Sequence, residues 1–192
     1  MKITALETIR NAEFPNLLWL HVHTDEGLSG LGETFFGAQA VEAYLHESVA
    51  PQLLGQDPSR IDHIARKLYG YLGFRGSGVE TRGNSAIDIA LWDLWGKRTA
   101  QPVYQLLGGL TRERVRVYNT CAGYRYVRQR PVQTTDNWGL DGEEGPYEDL
   151  DAFLNRADEL ALSLLQQGIQ AMKIWPFDHA AENNGGLHIS SA

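Results

Sequence analysis

The sequence predicts an α+β domain followed by a βαβ unit, and three observations support this fold class. Three short runs near the N-terminus alternate apolar and polar residues, which is typical of half-buried strands. Apolar residues at helical spacing then dominate residues 39–109. A strand pattern, a helix pattern and a second strand pattern follow. Because strands precede helices in the first part, we expect an α+β domain at residues 1–112 and a second domain at residues 113–192.

Composition narrows the class of protein. The 192-residue chain carries a net charge of −7, which argues against a nucleic-acid partner. Cys121 is the only cysteine, which excludes an internal disulfide and fits a reducing compartment. No run approaches the ~18 apolar residues of a membrane span, and the N-terminus lacks the apolar core of a signal peptide. We therefore expect a cytoplasmic protein with no membrane partner.

The N-terminal strands are predicted at Lys2–Arg10, Leu17–Thr24 and Leu28–Thr34. Short turns join them, so we expect an antiparallel meander. His21 and His23 alternate onto the same side of the second strand, which would suit a metal pair. Two histidines on the wetter face of the strand are the favoured interpretation, because no third ligand lies nearby in the sequence.

Helices are predicted next. One covers Gln39–Leu54 and ends at Gly55, and a second is expected to be capped by Ser59. Residues Phe74–Gly83 are rich in glycine and have no periodicity, so we expect a loop there.

The strongest helix pattern lies within Ser85–Gly109. Its apolar stripe consists of Ile87, Ala90, Leu91, Leu94 and Trp95. Ser85 and Asp88 have the spacing of a capping box, which predicts that the helix begins there. Pro102 is expected to open a second short helix that stops at Gly108–Gly109.

The C-terminal part predicts a parallel strand pair. A strand ends near Asn119, and residues 122–147 have no usable period. One long helix is expected to follow, with Leu150, Phe153, Leu154, Ala157, Leu160, Ala161, Leu164 and Leu165 on its apolar face. Gly168 closes this helix, and Ile169–Trp175 is the second strand. Strand, helix and strand in this order predict a βαβ crossover.

Lys173 is the main catalytic candidate. Met172 and Ile174 share one face of the last strand, and Lys173 and Trp175 share the other. If the strand belongs to a barrel, the apolar pair suits the outer side and Lys173 points inward at the carboxyl end, where barrel enzymes keep their active sites. The alternative is a lysine that snorkels out from the sheet edge.

Residues 85–108 resemble the N-terminal signature of the mandelate racemase/muconate lactonizing branch of the enolase superfamily. The matching residues, in order, are Ser85–Ala86, Ile87–Asp88, Ala90–Leu91, Asp93–Leu94, Gly96–Lys97, Pro102–Val103 and Leu106–Gly108. One departure is Gly83, where the family more often has alanine. The resemblance implies that residues 1–112 form the family's capping domain and that residues 113–192 begin a (β/α)₈ barrel, which is incomplete in this chain.

The resemblance also implies an activity. Enzymes of this superfamily use a lysine or histidine base to remove the proton α to a carboxylate while Mg²⁺ stabilises the ene-diolate. The family's Mg²⁺ ligands end later barrel strands, and a complete barrel takes about 250 residues. We therefore expect the N-terminal portion of a longer enzyme, with no metal ligand in this chain. The alternative is a non-catalytic fragment that acts only as a dimerising or binding module.

The family's second barrel strand ends in a Lys-x-Lys motif, which narrows the activity. Lys173 matches the first lysine, which in relatives polarises the substrate carboxylate. Trp175 stands where relatives carry the lysine that acts as base, and an indole cannot accept a proton. The resemblance with this departure favours one-base chemistry, such as dehydration of a sugar acid (aldonate or aldarate), over two-base racemisation.

Resemblance further implies that capping-domain loops close over a small carboxylate substrate. The expected loops are Arg10–Asn16 and Thr34–Gly37. The candidate substrate contacts are Phe14, Phe35, Phe36, Asn119 and Tyr124. Aromatic side chains in such loops equally suit the core of a domain interface. The family also implies a homo-oligomer, either a dimer or an octamer.

Overall fold

The computed structural model describes residues 1–70, 78–122 and 149–174. The chain divides into two compact units, Met1–Thr111 and Arg112–Ala192. Within the described ranges, no helix combines the length and apolar character that a membrane crossing requires.

The first unit contains a three-stranded sheet in the order β1-β2-β3. β1 is Ile3–Asn11, β2 is Phe14–Thr24 and β3 is Ser29–Phe35. Both pairings are antiparallel, which confirms the predicted meander. Alternate residues of β2 are buried on the side that faces the helices, so the period-2 pattern of the sequence reflects one covered face.

Helices follow the sheet, as predicted. They are α1 (Ala38–Tyr44), a π-helical turn (Leu45–Val49), α2 (Ala50–Leu53), α3 (Ile61–Tyr69), α4 (Val79–Thr99) and α5 (Val103–Leu106). The single helix expected over residues 39–54 is thus interrupted by a π turn, and Gly55 ends it with a φ of 78°. Pro102 precedes α5, and Gly108 and Gly109 adopt positive φ after it, as predicted.

Two predicted helix starts are wrong. α3 begins after Arg60, which is its N-cap and forms no side-chain cap. Ser59 lies one residue earlier, where its backbone N–H donates to Asp57 Oδ1 at 2.9 Å. α4 begins at Val79, so Ser85 lies in the helix interior and forms no capping box. Glycine-rich sequence indicated a loop as far as Gly83, but tertiary packing extends the helix across this residue.

Helix α4 packs so closely on β3 that two strand residues must be glycine. A Cβ at Gly32 would collide with the carbonyl oxygen of Ala86, and a Cβ at Gly30 would collide with that of Ala90. Alternating glycines on the covered face therefore allow the helix backbone to lie directly on the strand.

Gly83 has a specific packing role in α4. A Cβ built there would lie 2.6 Å from Cδ1 of Tyr44, so the tyrosine ring occupies the space that an alanine would need. The Tyr44 hydroxyl donates to Oδ1 of the neighbouring Asn84 at 2.9 Å. The glycine that departs from the family pattern is thus matched by a tyrosine on α1.

The core of the first unit lies between the sheet and the helices. Its fully buried members include Leu18, Leu20, Val22, Val41, Leu45, Val49, Leu53, Ile64, Ile87 and Leu91. Burying each such side chain contributes about 1.5–3 kcal/mol relative to exposure. The predicted apolar stripe of α4 supplies part of this core, whereas Ile89, off the stripe, is 47% exposed.

The second unit contains α6 (Asp149–Asn155) and α7 (Ala157–Gln166). One continuous helix was expected here, but Arg156 breaks it with a φ of −147° and a ψ of 47°. The predicted parallel pairing is present as a single bridge between Asn119 and Met172. Residues 112–118, 169–171, 173 and 174 form no strand, so both predicted strands are wrong apart from this bridge.

Candidate functional site

An aromatic turn, defined as Phe35–Gly37, begins at the last residue of β3. The substrate-covering loop was predicted at Thr34–Gly37, but Thr34 and Phe35 belong to the strand. Phe35 ends the strand, and Phe36 adopts a left-handed φ of 67°. The backbone N–H of Phe36 donates to the carbonyl of Asn16 at 3.0 Å. The two phenyl rings contact each other at a centroid distance of 4.2 Å, so they form one apolar surface.

Arg82 of α4 contacts both rings and the backbone of this aromatic turn. Its guanidinium carbon lies 5.3 Å from the Phe35 ring centroid and 5.1 Å from that of Phe36. Its Nη1 also donates to the Phe35 carbonyl oxygen at 2.7 Å. One cation therefore contacts both rings and the backbone between β3 and α1.

An open cavity of about 520 Å³ adjoins the aromatic turn. Phe35, Arg82, Glu33 and Thr81 are among its lining residues. Trp19 Nε1 donates to Glu33 Oε2 at 2.8 Å, which orients that carboxylate. The cavity therefore combines an apolar ring with a cation and an anion, a set that suits a ligand carrying hydroxyl groups.

Phe14 lies elsewhere than predicted. The loop expected at Arg10–Asn16 is instead a two-residue turn, and Phe14 is the first residue of β2, paired with Asn11. The sequence lacked a clear alternation here because Pro15 and Asn16 interrupt the apolar pattern. Contact of Phe14 with a substrate remains a prediction.

Asn16, beside the aromatic turn, is a buried polar residue that the sequence did not predict. It is fully buried, and neither Oδ1 nor Nδ2 has a hydrogen-bond partner in the described part of the chain. Its carbonyl accepts the hydrogen bond from Phe36. A buried amide without a hydrogen-bond partner lowers the free energy of unfolding by about 1–3 kcal/mol, so we expect Asn16 to destabilise the fold beside the aromatic turn.

In the second unit, Asn119 connects the first predicted barrel strand to α6. Its Nδ2 donates to Asp149 Oδ2 at 2.8 Å, and its Oδ1 accepts from the backbone N–H of Cys121 at 2.7 Å. Cys121 is fully buried with a φ of 52°. Its burial, followed by the nearby Asp149 carboxylate, raises the pKa of the thiol. The Asn119 amide therefore supports local structure, and its predicted contact with a substrate stays a prediction.

Lys173 lies one residue beyond the parallel bridge. Met172 packs against a small core that includes Leu160 and Leu164, so Lys173 is on the strand face away from these helical residues. Its Nζ lies 5.8 Å from the Tyr118 ring centroid. Ile174 was expected to pack beside Met172 but is 57% exposed.

Lys173 and Arg116 line one open cavity of about 410 Å³, together with Tyr118 and Met172. Two cationic side chains around one space favour a carboxylate ligand. Arg116 was not predicted as a site residue. Its alternation with Val115 and Val117 places it on the same side of the chain as Tyr118. Arg82 carried no comparable signal, because a lone arginine in a glycine-rich segment indicates no partner.

The other predicted site features divide into two groups. Trp175 and Tyr124 lie outside the described residues. His21 and His23 stack at 5.8 Å and contact Ser29 and Glu7 respectively. Over residues 1–70, 78–122 and 149–174, no group of three or more histidine, cysteine, aspartate or glutamate side chains could hold a metal ion.

Known proteins resemble this chain over most of its length. D-Galactonate dehydratase from Verminephrobacter eiseniae is 45% identical over 152 residues, which are 75% of this chain and 39% of that protein. An enolase of the mandelate racemase subgroup from Agrobacterium tumefaciens is 54% identical with a TM-score of 0.76, and the match covers 99% of this chain and 43% of that one. The chain thus spans about two fifths of the length of these relatives.

A third relative carries ligands. An enolase from Pantoea ananatis, solved with bound D-gluconate and Mg²⁺, is 38% identical with a TM-score of 0.57, over 62% of this chain and 30% of that one. The model of the mandelate racemase/muconate lactonizing enzyme N-terminal domain matches residues 3–108, which include the whole sheet and α1 to α5. The chain therefore belongs to the mandelate racemase/muconate lactonizing enzyme family of the enolase superfamily, as the motif at residues 85–108 predicted.

Proposed function

We propose that the protein containing this chain is a Mg²⁺-dependent sugar-acid dehydratase that removes the proton α to the carboxylate and eliminates water. The observation that carries this proposal is the cavity lined by Arg116 and Lys173, two cations beside the only parallel bridge of the described residues. The likeness to D-galactonate dehydratase supports a sugar acid as the substrate class.

Lys173 and Arg116 are proposed to bind the substrate carboxylate. When the α proton leaves, negative charge grows on the carboxylate oxygens as the ene-diolate forms. Cations beside those oxygens therefore stabilise the transition state more than the ground state, which lowers the barrier. Both residues would touch the reacting group and act as electrostatic catalysts.

The base is proposed to come from another part of the protein. Trp175 follows Lys173 at the position where the family's base is expected, and its indole N–H can only donate. With one base, the α proton leaves from one face, and the departing β hydroxyl takes up a proton, from the protonated base or from another acid in the rest of the protein, and leaves as water. The resulting enol then tautomerises to a 2-keto-3-deoxy acid, so dehydration needs no second base on this strand.

Mg²⁺ belongs to the proposal for the whole protein. The described residues contain no group of side chains that could bind Mg²⁺. The ligands of the ion would therefore come from another part of the protein. The bound Mg²⁺ of the enolase from Pantoea ananatis supports the proposal.

The two domains are proposed to have different roles in substrate binding. Residues 1–112 would act as the capping domain, whose aromatic turn covers the substrate, and residues 113–192 would begin the barrel that holds it. A homo-oligomer is part of the same proposal, which light scattering on the full-length protein would test.

The proposal is tested by incubating the full-length protein with a panel of aldonates and aldarates, with Mg²⁺ or with EDTA. We expect a 2-keto-3-deoxy product from at least one acid, detected as its semicarbazone, and no product in EDTA. Absence of product from every acid with Mg²⁺ present would contradict the proposal.

A further inference from the structure

The conformation of the aromatic turn requires an external restraint. Phe36 has a φ of 67° and is followed by Gly37 with a φ of 65°, so two successive residues are left-handed. Glycine adopts this conformation freely, but a bulky residue such as phenylalanine pays about 1–2 kcal/mol. Such conformations persist only where surrounding contacts hold them, and they concentrate at ligand-contacting sites.

Arg82 supplies three of the contacts that hold the turn. Its guanidinium lies within 6 Å of both ring centroids, and Nη1 donates to the carbonyl of Phe35, the residue directly before the strained one. Lysine could supply the charge and one donor, but it lacks the planar group that stacks on two rings while it hydrogen-bonds the backbone. The contacts therefore depend on arginine.

Arg82 and the turn also share the cavity of about 520 Å³ with Glu33 and Thr81. The Arg82 side chain is half-buried and is part of the cavity wall. Holding the turn and shaping the cavity are thus two effects of the same residue.

We propose that Arg82 is a positioning residue that holds the aromatic turn in its left-handed conformation and thereby determines which sugar acid the capping domain accepts. This inference rests on the proposed dehydratase function. Arg82 acts through Phe35 and Phe36, so its removal leaves the charge-stabilising groups intact and loosens the wall that selects the substrate.

The test compares Arg82→Met and Arg82→Lys with Arg66→Met in the full-length protein. Arg66 is the matched control, because it and its ion-pair partner Asp62 both have side chains that are 80% exposed. The first measurement is amide hydrogen exchange at Phe36, whose N–H bonds to Asn16. The second is the pair of kinetic constants kcat and KM for the best sugar acid of the panel.

We expect Arg82→Met to speed exchange at Phe36 and raise KM by about tenfold, equivalent to about 1.4 kcal/mol, with kcat changed far less. Arg82→Lys should restore part of both effects, and Arg66→Met should change neither. If Arg82→Met fails to fold, the lysine variant carries the same comparison with a smaller shift.

Three results would contradict the inference, and each would identify a different incorrect step. Unchanged exchange at Phe36 in a folded Arg82→Met variant would show that Arg82 does not hold the turn. Faster exchange with unchanged KM would show that the turn does not select the substrate, while the dehydratase proposal stands. No turnover by the unsubstituted protein would overturn both the proposed function and the role in selection, and exchange would still decide the contact itself.

Discussion

The described residues of the two units differ in how completely they enclose an apolar core. In the first, the sheet, helices α1 to α4 and the π-helical turn enclose a continuous core, and Gly30 and Gly32 allow α4 to lie directly on β3. In the second, the described residues form a small core cluster around Cys121, Leu160 and Leu164, and their strand pairing consists of one bridge. The apolar side chains of Val115, Val117, Tyr118 and Ile174 are all more than half exposed.

The type of sheet in the first unit explains why its core can close. An antiparallel meander needs only one covered face, and the helices of the first unit cover it. Parallel strands are stable when both faces are covered and when neighbouring strands pair on each side. The exposed valines before Asn119 are consistent with that requirement. The first unit should therefore respond to substitutions as a tightly packed domain, and the second as a more local structure.

The largest effect is expected from Gly32→Ala in the first unit. The new Cβ would collide with a backbone carbonyl of α4, which cannot move aside as a flexible side chain could. We expect a loss of roughly 4 kcal/mol or more in the free energy of unfolding, measured by urea denaturation.

Leu31→Ala is the control on the same strand, because Leu31 is 41% exposed on the opposite face. It should cost no more than about 1 kcal/mol, since half-exposed positions lose little buried area. Equal effects of the two substitutions would contradict the close packing of α4 on β3.

The second unit is tested by Leu160→Ala. Leu160 is fully buried, whereas Leu162 on the same helix is 61% exposed. Removing a fully buried leucine side chain costs about 2–5 kcal/mol in a tightly packed core, and we expect the low end of this range because the cluster is small. Leu162→Ala should be near neutral in the same denaturation experiment. A cost above that of Gly32→Ala would reverse the comparison between the units.

A gain in stability is expected from Asn16→Leu. Leucine has nearly the shape of asparagine and removes both buried amide atoms that have no hydrogen-bond partner among the described residues. The free energy of unfolding should rise by about 1 kcal/mol or more. Asn16→Asp is the contrasting variant, because it buries a charge without a partner and should destabilise the protein. A destabilised Asn16→Leu variant would show that the amide makes a stabilising contact in solution.

The smallest expected change in the free energy of unfolding comes from the Cys121 thiol at alkaline pH. Burial raises the pKa of its thiol in the folded state, so the unfolded chain releases this proton at a lower pH than the folded chain. The free energy of unfolding should therefore fall as pH rises above the ordinary thiol pKa of about 8.5. Below that pH the thiol has no effect on the slope. Cys121→Ala should flatten the alkaline limb, measured by urea denaturation between neutral and alkaline pH, and an unchanged limb would refute this origin.

The sequence predicted most of the first unit because local patterns and tertiary packing agree there. Alternating strands and the stripe of Ile87, Leu91 and Leu94 follow directly from which face is buried. The start of α4 was missed because the contact of Gly83 with Tyr44 extends the helix through a segment that looks like a loop. Long-range contacts of this kind leave no periodic signal in the sequence.

The candidate sites were predicted unevenly for a similar reason. Lys173 could be placed on one strand face from alternation alone, and the packing of Met172 agrees with that placement. Arg82 could not be found, because its role depends on two rings that lie 47 and 46 residues away in the chain. A residue whose function depends on distant partners becomes visible only when the fold brings them together.

The central claim is that Lys173 and Arg116 stabilise the substrate carboxylate in a dehydratase that contains this chain. The most direct test is kcat/KM of the full-length Lys173→Met variant for the best sugar acid, compared with Lys97→Met, whose ammonium pairs with Asp93 of α4 and donates to the carbonyl of Ser29 in β3. We expect the Lys173 variant to lose about 100-fold or more, the loss typical of removing one charge-stabilising group, and the Lys97 variant to keep its activity. A Lys173→Met enzyme as active as the unsubstituted protein would contradict the account.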